Sequence, residues 1–154
     1  MRSGSIVVRQ AQDSDLAHLV SLLQILFEIE EDFVFDEARQ QQGLMLMLEN
    51  RQGVILVAEG NNRVIGMCTG QLVVSTAEGG QAVLVEDVVV LPAWQGRGVG
   101  RYLISSIADW AATQKASRLQ LLADRNNNSA LTFYNKVGWQ MTELICLRKK
   151  SDQV

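Results

Sequence analysis

The residues whose types and spacing carry the most chemistry lie at Gln95–Arg101, QGRGVGR, where Gly96, Gly98 and Gly100 alternate with Arg97, Val99 and Arg101. The run upstream, AVLVEDVVVL, is apolar and β-branched, and downstream YLISSIADWAA repeats its apolar residues at helical spacing. The glycines therefore fall where a strand hands over to a helix. Glycine admits positive φ and lets a ligand come close to the main chain. The unpaired N–H groups of a first helical turn, at the positive end of the macrodipole, attract anions. Successive amides in a glycine turn also form a concave nest that suits phosphate. Arg97 and Arg101 add charge-assisted contacts. A pyrophosphate is the natural guest, set against the bland alternative of a glycine-rich turn with no ligand.

Two familiar phosphate motifs are excluded. No G-x-x-x-x-G-K-[ST] string exists, and the third glycine of G-x-G-x-x-G would fall on Arg101. The spacing present is Q-x-x-G-x-G, at Gln95, Gly98 and Gly100, and N-x-x-A-x-x-x-Y follows at Asn127, Ala130 and Tyr134. Together VEDVVVLPAWQGRGVGRYL (Val85–Leu103) and NNNSALTFYNKVGW (Asn126–Trp139) resemble the GNAT superfamily of N-acetyltransferases, which use acetyl-coenzyme A (acetyl-CoA). The first half of the chain carries no such motif.

The resemblance implies a division of labour. The amides of Gly96, Arg97, Gly98, Val99, Gly100 and Arg101 would hold the pyrophosphate, and Gln95 would be a further cofactor-binding residue. Backbone groups of Val88, Val89 and Val90 would pair with the pantetheine arm as if it were an extra strand. Asn127 would reach the cofactor arm with its side-chain amide, and Tyr134 would lie near the sulfur.

Acetyl transfer from a thioester to an amine makes three demands. The amine must lose a proton, since an aliphatic ammonium titrates near ~10. An oxyanion needs donors, and a backbone N–H near Val88 is the obvious one. The departing thiolate benefits from a proton donor, and Tyr134 has the right group. Glu86 is the first candidate base, because strand alternation puts Glu86, Val88 and Val90 on one face, with Asp87 pointing the other way unless a bulge shifts the register. Some members of the superfamily carry a glutamate on the strand before the asparagine motif; here that strand reads Leu121-Leu122. No covalent enzyme intermediate is expected: there is no G-x-S-x-G elbow, and neither cysteine has a histidine to activate it. The rival reading is a non-catalytic acyl-CoA-binding or regulatory module of the same fold.

These residues need a scaffold. SIVVRQ reads as an opening strand, and Asp13 as the N-cap of a helix over SDLAHLVSLLQILFEI. A second helix spans roughly Glu37–Asn50, with Leu44, Met45 and Leu48 on its apolar side. GVILVAEGNNRVIGMCTGQLVV reads as a hairpin around Gly60-Asn61-Asn62, and Gly79-Gly80 marks a second turn. A strand from Ala82 to Leu91, a helix from about Gly98 to Thr113, a strand RLQLLA, a short helix NSALTFYNKV and a last strand WQMTELICLRK complete the chain. The order β-α-α-β-β-β-α-β-α-β predicts an α/β (α+β) fold with a mixed, mostly antiparallel sheet flanked by helices. With 154 residues and no linker, a single domain over 1–154 is expected.

Composition narrows the class. A net charge of −3 excludes the basic footprint of a general nucleic-acid binder. No run approaches the ~18 apolar residues of a membrane span, and no secretory leader is evident, so a cytoplasmic protein without membrane or nucleic-acid partners is expected. Cys68 and Cys146 lie in apolar, strand-like runs, the only histidine is His18, and no metal site is expected. The acidic connector (Glu28, Glu30, Glu31, Asp32, Asp36, Glu37) is by default a solvated loop, with attraction of a cationic acceptor as its functional reading. His18 reads as surface, and Trp94, Trp110 and Trp139 as packing residues. The acceptor is a small-molecule or peptide amine, and a homodimer is compatible with the apolar last strand.

Overall fold

The computed structural model describes residues 4–30 and 32–151. They group into two compact units, Met1–Leu121 and Leu122–Val154.

The first unit is built on a five-stranded sheet in the order β1 (Val7–Gln10), β2 (Gly53–Gly60), β3 (Arg63–Ser75), β4 (Gly80–Val90), β5 (Arg118–Leu121). The first three pairings are antiparallel and β4–β5 is parallel, the mixed, mostly antiparallel sheet expected. Asn61 and Asn62 turn the β2–β3 hairpin at φ 52° and 60°, a left-handed region asparagine tolerates better than most residues. Helices α1 (Leu16–Ile29) and α2 (Glu37–Glu49) cover one face. There Leu19, Leu22, Leu23, Leu26 and Leu44 form a buried cluster with Ile55, Val57, Met67 and Val89. Helix α3 (Val99–Thr113) covers the other face, and glycines on β3 let it approach closely. A Cβ on Gly70 would stand 2.8 Å from Ile107 Cδ1, and one on Gly66 would stand 3.2 Å from Leu103 Cδ1.

The second unit contains α4 (Asn128–Lys136), followed by Gly138 at φ 96°. The expected last strand at WQMTELICLRK does not form among the described residues. Its alternating pattern makes a strand only when paired with a partner, and the described residues of this unit contain no strand. Cys146 is accordingly exposed, whereas Cys68 is buried within β3.

One helix start differs from expectation in detail. Asp13 opens a 3-10 turn (Asp13–Asp15), and the N-cap position of α1 falls on Asp15, whose side chain makes no capping bond to the helix. The Asp15 carboxylate accepts from the Gln12 amide at 2.7 Å and receives both Arg9 guanidinium nitrogens at 2.8 and 2.9 Å. Asp15 therefore ties β1 to α1, a role that Asp13, one turn position too early, does not take. On α2 Leu44 is buried, but Met45 is half-exposed.

Candidate active site

The strand-to-helix junction is built as the glycine pattern predicts. β4 ends at Val90, a 3-10 turn spans Pro92–Trp94, and α3 begins at Val99. Gly96 and Gly98 sit at φ 77° and 83°, and nothing lies within 4 Å of where their Cβ atoms would stand. Gly98 is the N-cap of α3 and provides no side-chain cap. The Tyr102 amide takes the Gly98 carbonyl at 3.0 Å, so by helix geometry the Val99, Gly100 and Arg101 amides lack intrahelical acceptors. Open space beside Gly96 and Gly98, amides at a helix start and two exposed arginines suit a pyrophosphate. Arg97 is stacked over Trp94 with its guanidinium carbon 4.9 Å from the ring centroid. Gln95 folds back, its Nε2 donating to the Val90 carbonyl at 3.2 Å. It holds the turn against the end of β4.

The geometry of β4 departs from simple alternation. Thr69 on β3 pairs with Glu86, and Met67 pairs with Val89, so Asp87 and Val88 together oppose the single residue Cys68. This is a β-bulge, with Asp87 in the left-handed region at φ 54°. The expectation that Glu86, Val88 and Val90 share a face is corrected by it. Glu86 falls on the row of Thr69, the row to which Val89 and Met67 belong, while Val88 and Val90 fall on the other. Glu86 is exposed, and Val89 is buried in the core against α1.

The bulge also redirects the backbone. The Ser117 amide donates to the Gln81 carbonyl from the β5 side, so odd-numbered residues of early β4 point their polar groups toward β5. After the bulge the Leu91 amide donates to the Ile65 carbonyl on β3, so odd-numbered residues now point toward β3. Val88 and Val90 are thereby aimed at the opposite edge, and Val89 at β3. At that edge β5 has already ended, because its pairing with β4 stops at Val85. The result is a row of outward main-chain groups running up to the glycine turn.

Asp87 is the residue to which strand periodicity gave no role. Its carboxylate accepts from Thr69 Oγ1 at 3.2 Å. Burial, reinforced by the charge of Glu86, pushes its pKa up to about 6, with the Thr69 hydrogen bond acting in the opposite sense. The signal in the sequence was the pair Glu86-Asp87, two successive acids in an otherwise valine-rich strand. Cys68, on the other strand of the bulge, has its thiol pushed up to about 12, mainly by burial and further by Asp87. A thiol so held is no nucleophile at neutral pH.

Two further candidates, Asn127 and Tyr134, lie in the second unit. Asn127 caps α4, its Oδ1 accepting from the Ala130 amide at 3.1 Å, so what it can offer a ligand is its Nδ2 donor. The Tyr134 ring packs edge-on against Phe133 at 5.2 Å and beside Trp139 at 5.9 Å. In the acidic connector, Asp36 caps α2 by accepting from the Arg39 amide at 3.3 Å, and Glu31 lies outside the described residues. His18 is exposed on α1. None of the described helices is long and apolar enough to cross a membrane.

Comparison with known proteins agrees with this geometry. The chain is 30% identical over 137 residues to the uncharacterised N-acetyltransferase YhfO of Bacillus subtilis, covering 86% of this chain and 89% of that protein. It is 28% identical over 145 residues to thialysine N-epsilon-acetyltransferase of Mus musculus, covering 86% and 83%. Its fold matches that of the aminoglycoside N-acetyltransferase AAC(6')-Iy in complex with CoA at a TM-score of 0.85, with 18% identity over 97% of each chain. The profile of the acetyltransferase (GNAT) family matches residues 19–139, a span that includes the glycine turn, the β4 bulge and helix α4. The chain belongs to the GNAT family and is an N-acetyltransferase.

Proposed function

We propose that the protein transfers the acetyl group of acetyl-CoA directly to a primary amine of a small, cationic acceptor, and that residues 1–154 work as one N-acetyltransferase domain. The observation that carries this reading is the coincidence of two features in the first unit. The glycine turn at Gly96–Arg101 is open where side chains would otherwise stand. Directly upstream, Val88 and Val90 aim their main-chain groups at an edge that β5 has vacated. A pyrophosphate in the turn and a pantetheine arm along that edge are one continuous ligand.

Acetyl-CoA supplies the activated acyl group; the protein's work is to place and polarise it. The amides of Val99, Gly100 and Arg101, with Arg97 and Arg101, hold the phosphates. Val88 and Val90 accept and donate to the arm as an added strand would. The Val88 N–H is the donor for the developing oxyanion. Glu86, exposed at the bulge, takes the proton of the incoming ammonium, and Tyr134 protonates the leaving sulfur. The inert Cys68 supports transfer without an acyl-enzyme. Relatives named for thialysine and for L-2,4-diaminobutyric acid support an acceptor bearing a second positive group. Reaction in the cytoplasm follows as part of the same proposal.

The first test is a thermal-shift titration with acetyl-CoA, with adenosine diphosphate and NAD as controls. Ligand at about a hundred times its Kd stabilises by ~2.7 kcal/mol, or several degrees at ~2–4 °C per kcal/mol. A saturable shift with acetyl-CoA alone supports the site, and no shift removes it. Tyr134→Phe should keep the shift and lose turnover by about 10²-fold or more. Wild-type turnover in that variant takes Tyr134 out of its role.

A further inference from the structure

The bulge at Asp87 has a cost that the fold alone does not require. A non-glycine residue in the left-handed region is strained, and the first position of a bulge of this hand is ordinarily glycine. Here that position is an aspartate at φ 54°. Nothing in the sheet's own pairing requires a carboxylate there. What the carboxylate does is reach across to β3 and take the hydroxyl of Thr69 at 3.2 Å, the residue whose main chain pairs with the neighbouring Glu86. Thr69 is 2% exposed and cannot exchange that bond for water without opening the sheet.

The register shows what the bond protects. Without the extra residue, alternation from Gln81 would carry through β4 unbroken, and Val88 would point its N–H into the ladder with β3. With it, Val88 and Val90 face the vacated edge. We propose that Asp87 is a positioning residue, and that its hydrogen bond with Thr69 is a cross-strand latch that fixes the bulge and so holds the Val88 N–H out toward the substrate edge. This rests on the reading above in which the Val88 N–H serves the oxyanion. The latch acts through the main chain and does not touch the reacting atoms itself.

Three substitutions separate the possible sources of the effect. Asp87→Asn keeps an oxygen acceptor for Thr69 and a residue that tolerates positive φ. Asp87→Gly keeps the backbone conformation and removes the latch. Thr69→Val keeps the shape of a buried strand residue and removes the hydroxyl. Each full-length variant is measured for acetyl-CoA affinity, for kcat and KM on an amine that the wild type accepts, and for amide hydrogen exchange across Met67–Val90.

The latch predicts that Asp87→Gly and Thr69→Val each lose about tenfold in kcat, a fraction of the ~10²–10³-fold lost when such a donor is removed outright. Acetyl-CoA affinity and KM should change less than kcat, since the arm keeps its other contacts while the transition state needs the Val88 donor held in place. The double variant should fall no further than either single one, because both remove the same bond. Exchange at Val89 and its β3 partners should quicken in both variants and not in Asp87→Asn.

Wild-type kcat in Asp87→Gly or in Thr69→Val overturns the latch, as does unchanged exchange in both. Loss in Asp87→Asn equal to that in Asp87→Gly also overturns it, because the charge and not the bond would then be at work. A wild-type protein that transfers no acetyl group sinks the parent reading and the catalytic consequence of the latch together. That failure is distinguishable, because hydrogen exchange reads the bulge independently of turnover.

Discussion

The guanidinium of Arg97 rests over the ring of Trp94, 4.9 Å from its centroid, and the same ring lies against the α-carbon of Gly60, where a Cβ would stand 2.7 Å from Cη2. The end of the β2–β3 hairpin thus sets the height of the indole, and the indole sets the place of a cation beside the glycine turn. Trp94→Leu should weaken acetyl-CoA binding by ~2–5-fold, the equivalent of a cation–π contact of ~0.5–1 kcal/mol. Gly60→Ala, far from any phosphate contact, should weaken it in the same direction by displacing the ring. Calorimetric titration of both variants checks this, and unchanged affinity in Trp94→Leu would show that Arg97 needs no support.

Two glycine-to-alanine changes should act with opposite sign. Gly43 sits within helix α2 with nothing within 4 Å of its Cβ position. Alanine there should stabilise by roughly 0.5–1 kcal/mol and leave cofactor binding alone. Gly98 also has open space, but its φ is 83°. Alanine there should destabilise by about 1–2 kcal/mol and place a methyl group in the open space proposed for the phosphates. Melting temperatures with and without acetyl-CoA should rise unliganded for Gly43→Ala, and fall both ways for Gly98→Ala with a smaller ligand shift.

Asp87 predicts a pH signature in stability. Its folded pKa is raised to about 6 by burial and by Glu86, against an ordinary value of 3.8. Between those values the folded protein binds more protons than the unfolded chain, so this group lowers stability as pH rises from 4 to 6, and the penalty is full above 6. Asp87→Asn removes the charge and should raise the melting temperature at pH 7.5, with an advantage that disappears by pH 4. An advantage that did not vary with pH would assign the effect to packing.

Arg9 carries the opposite sign. It donates to both oxygens of Asp15 at 2.8 and 2.9 Å and to Glu59 Oε1 at 2.9 Å. The hydrogen bond from Arg9 holds the Asp15 carboxyl below its ordinary range despite burial. A depressed carboxylate contributes stability above its unfolded pKa and loses it as pH falls through the folded one. Arg9→Met should therefore destabilise at pH 7 by ~2–4 kcal/mol, leaving Asp15 buried with only the Gln12 amide. The deficit should shrink below pH 4, as urea unfolding at several pH values would show.

Much of the site was legible because it rests on local backbone demands. Gly96 and Gly98 need positive φ, the run after them repeats at helical spacing, and both are visible without a fold. The bulge was not legible in the same way. A one-residue slip is set by which register buries Met67 and Val89 together, a long-range choice between two strands. The sequence therefore left the direction of Asp87 open to a bulge, and placed Glu86 on the row of Val88 and Val90. The last strand failed for a related reason: alternation describes a surface, and a strand also needs an edge to join. Trp94 was read as packing, which it does, but its neighbour Arg97 is visible only once the turn has folded.

The early end of β5 has one more consequence. A strand that loses its neighbour at Val85 shows the outward groups of Val88 and Val90 to any other extended chain, and such edges invite sheet-to-sheet association. One exposed acid, Glu86, stands where the ladder ends, and like charge is the usual deterrent against a second copy of the same strand. The neutral amides of a pantetheine arm would meet no such repulsion, and an arm laid along this edge would cover the groups that otherwise invite self-association.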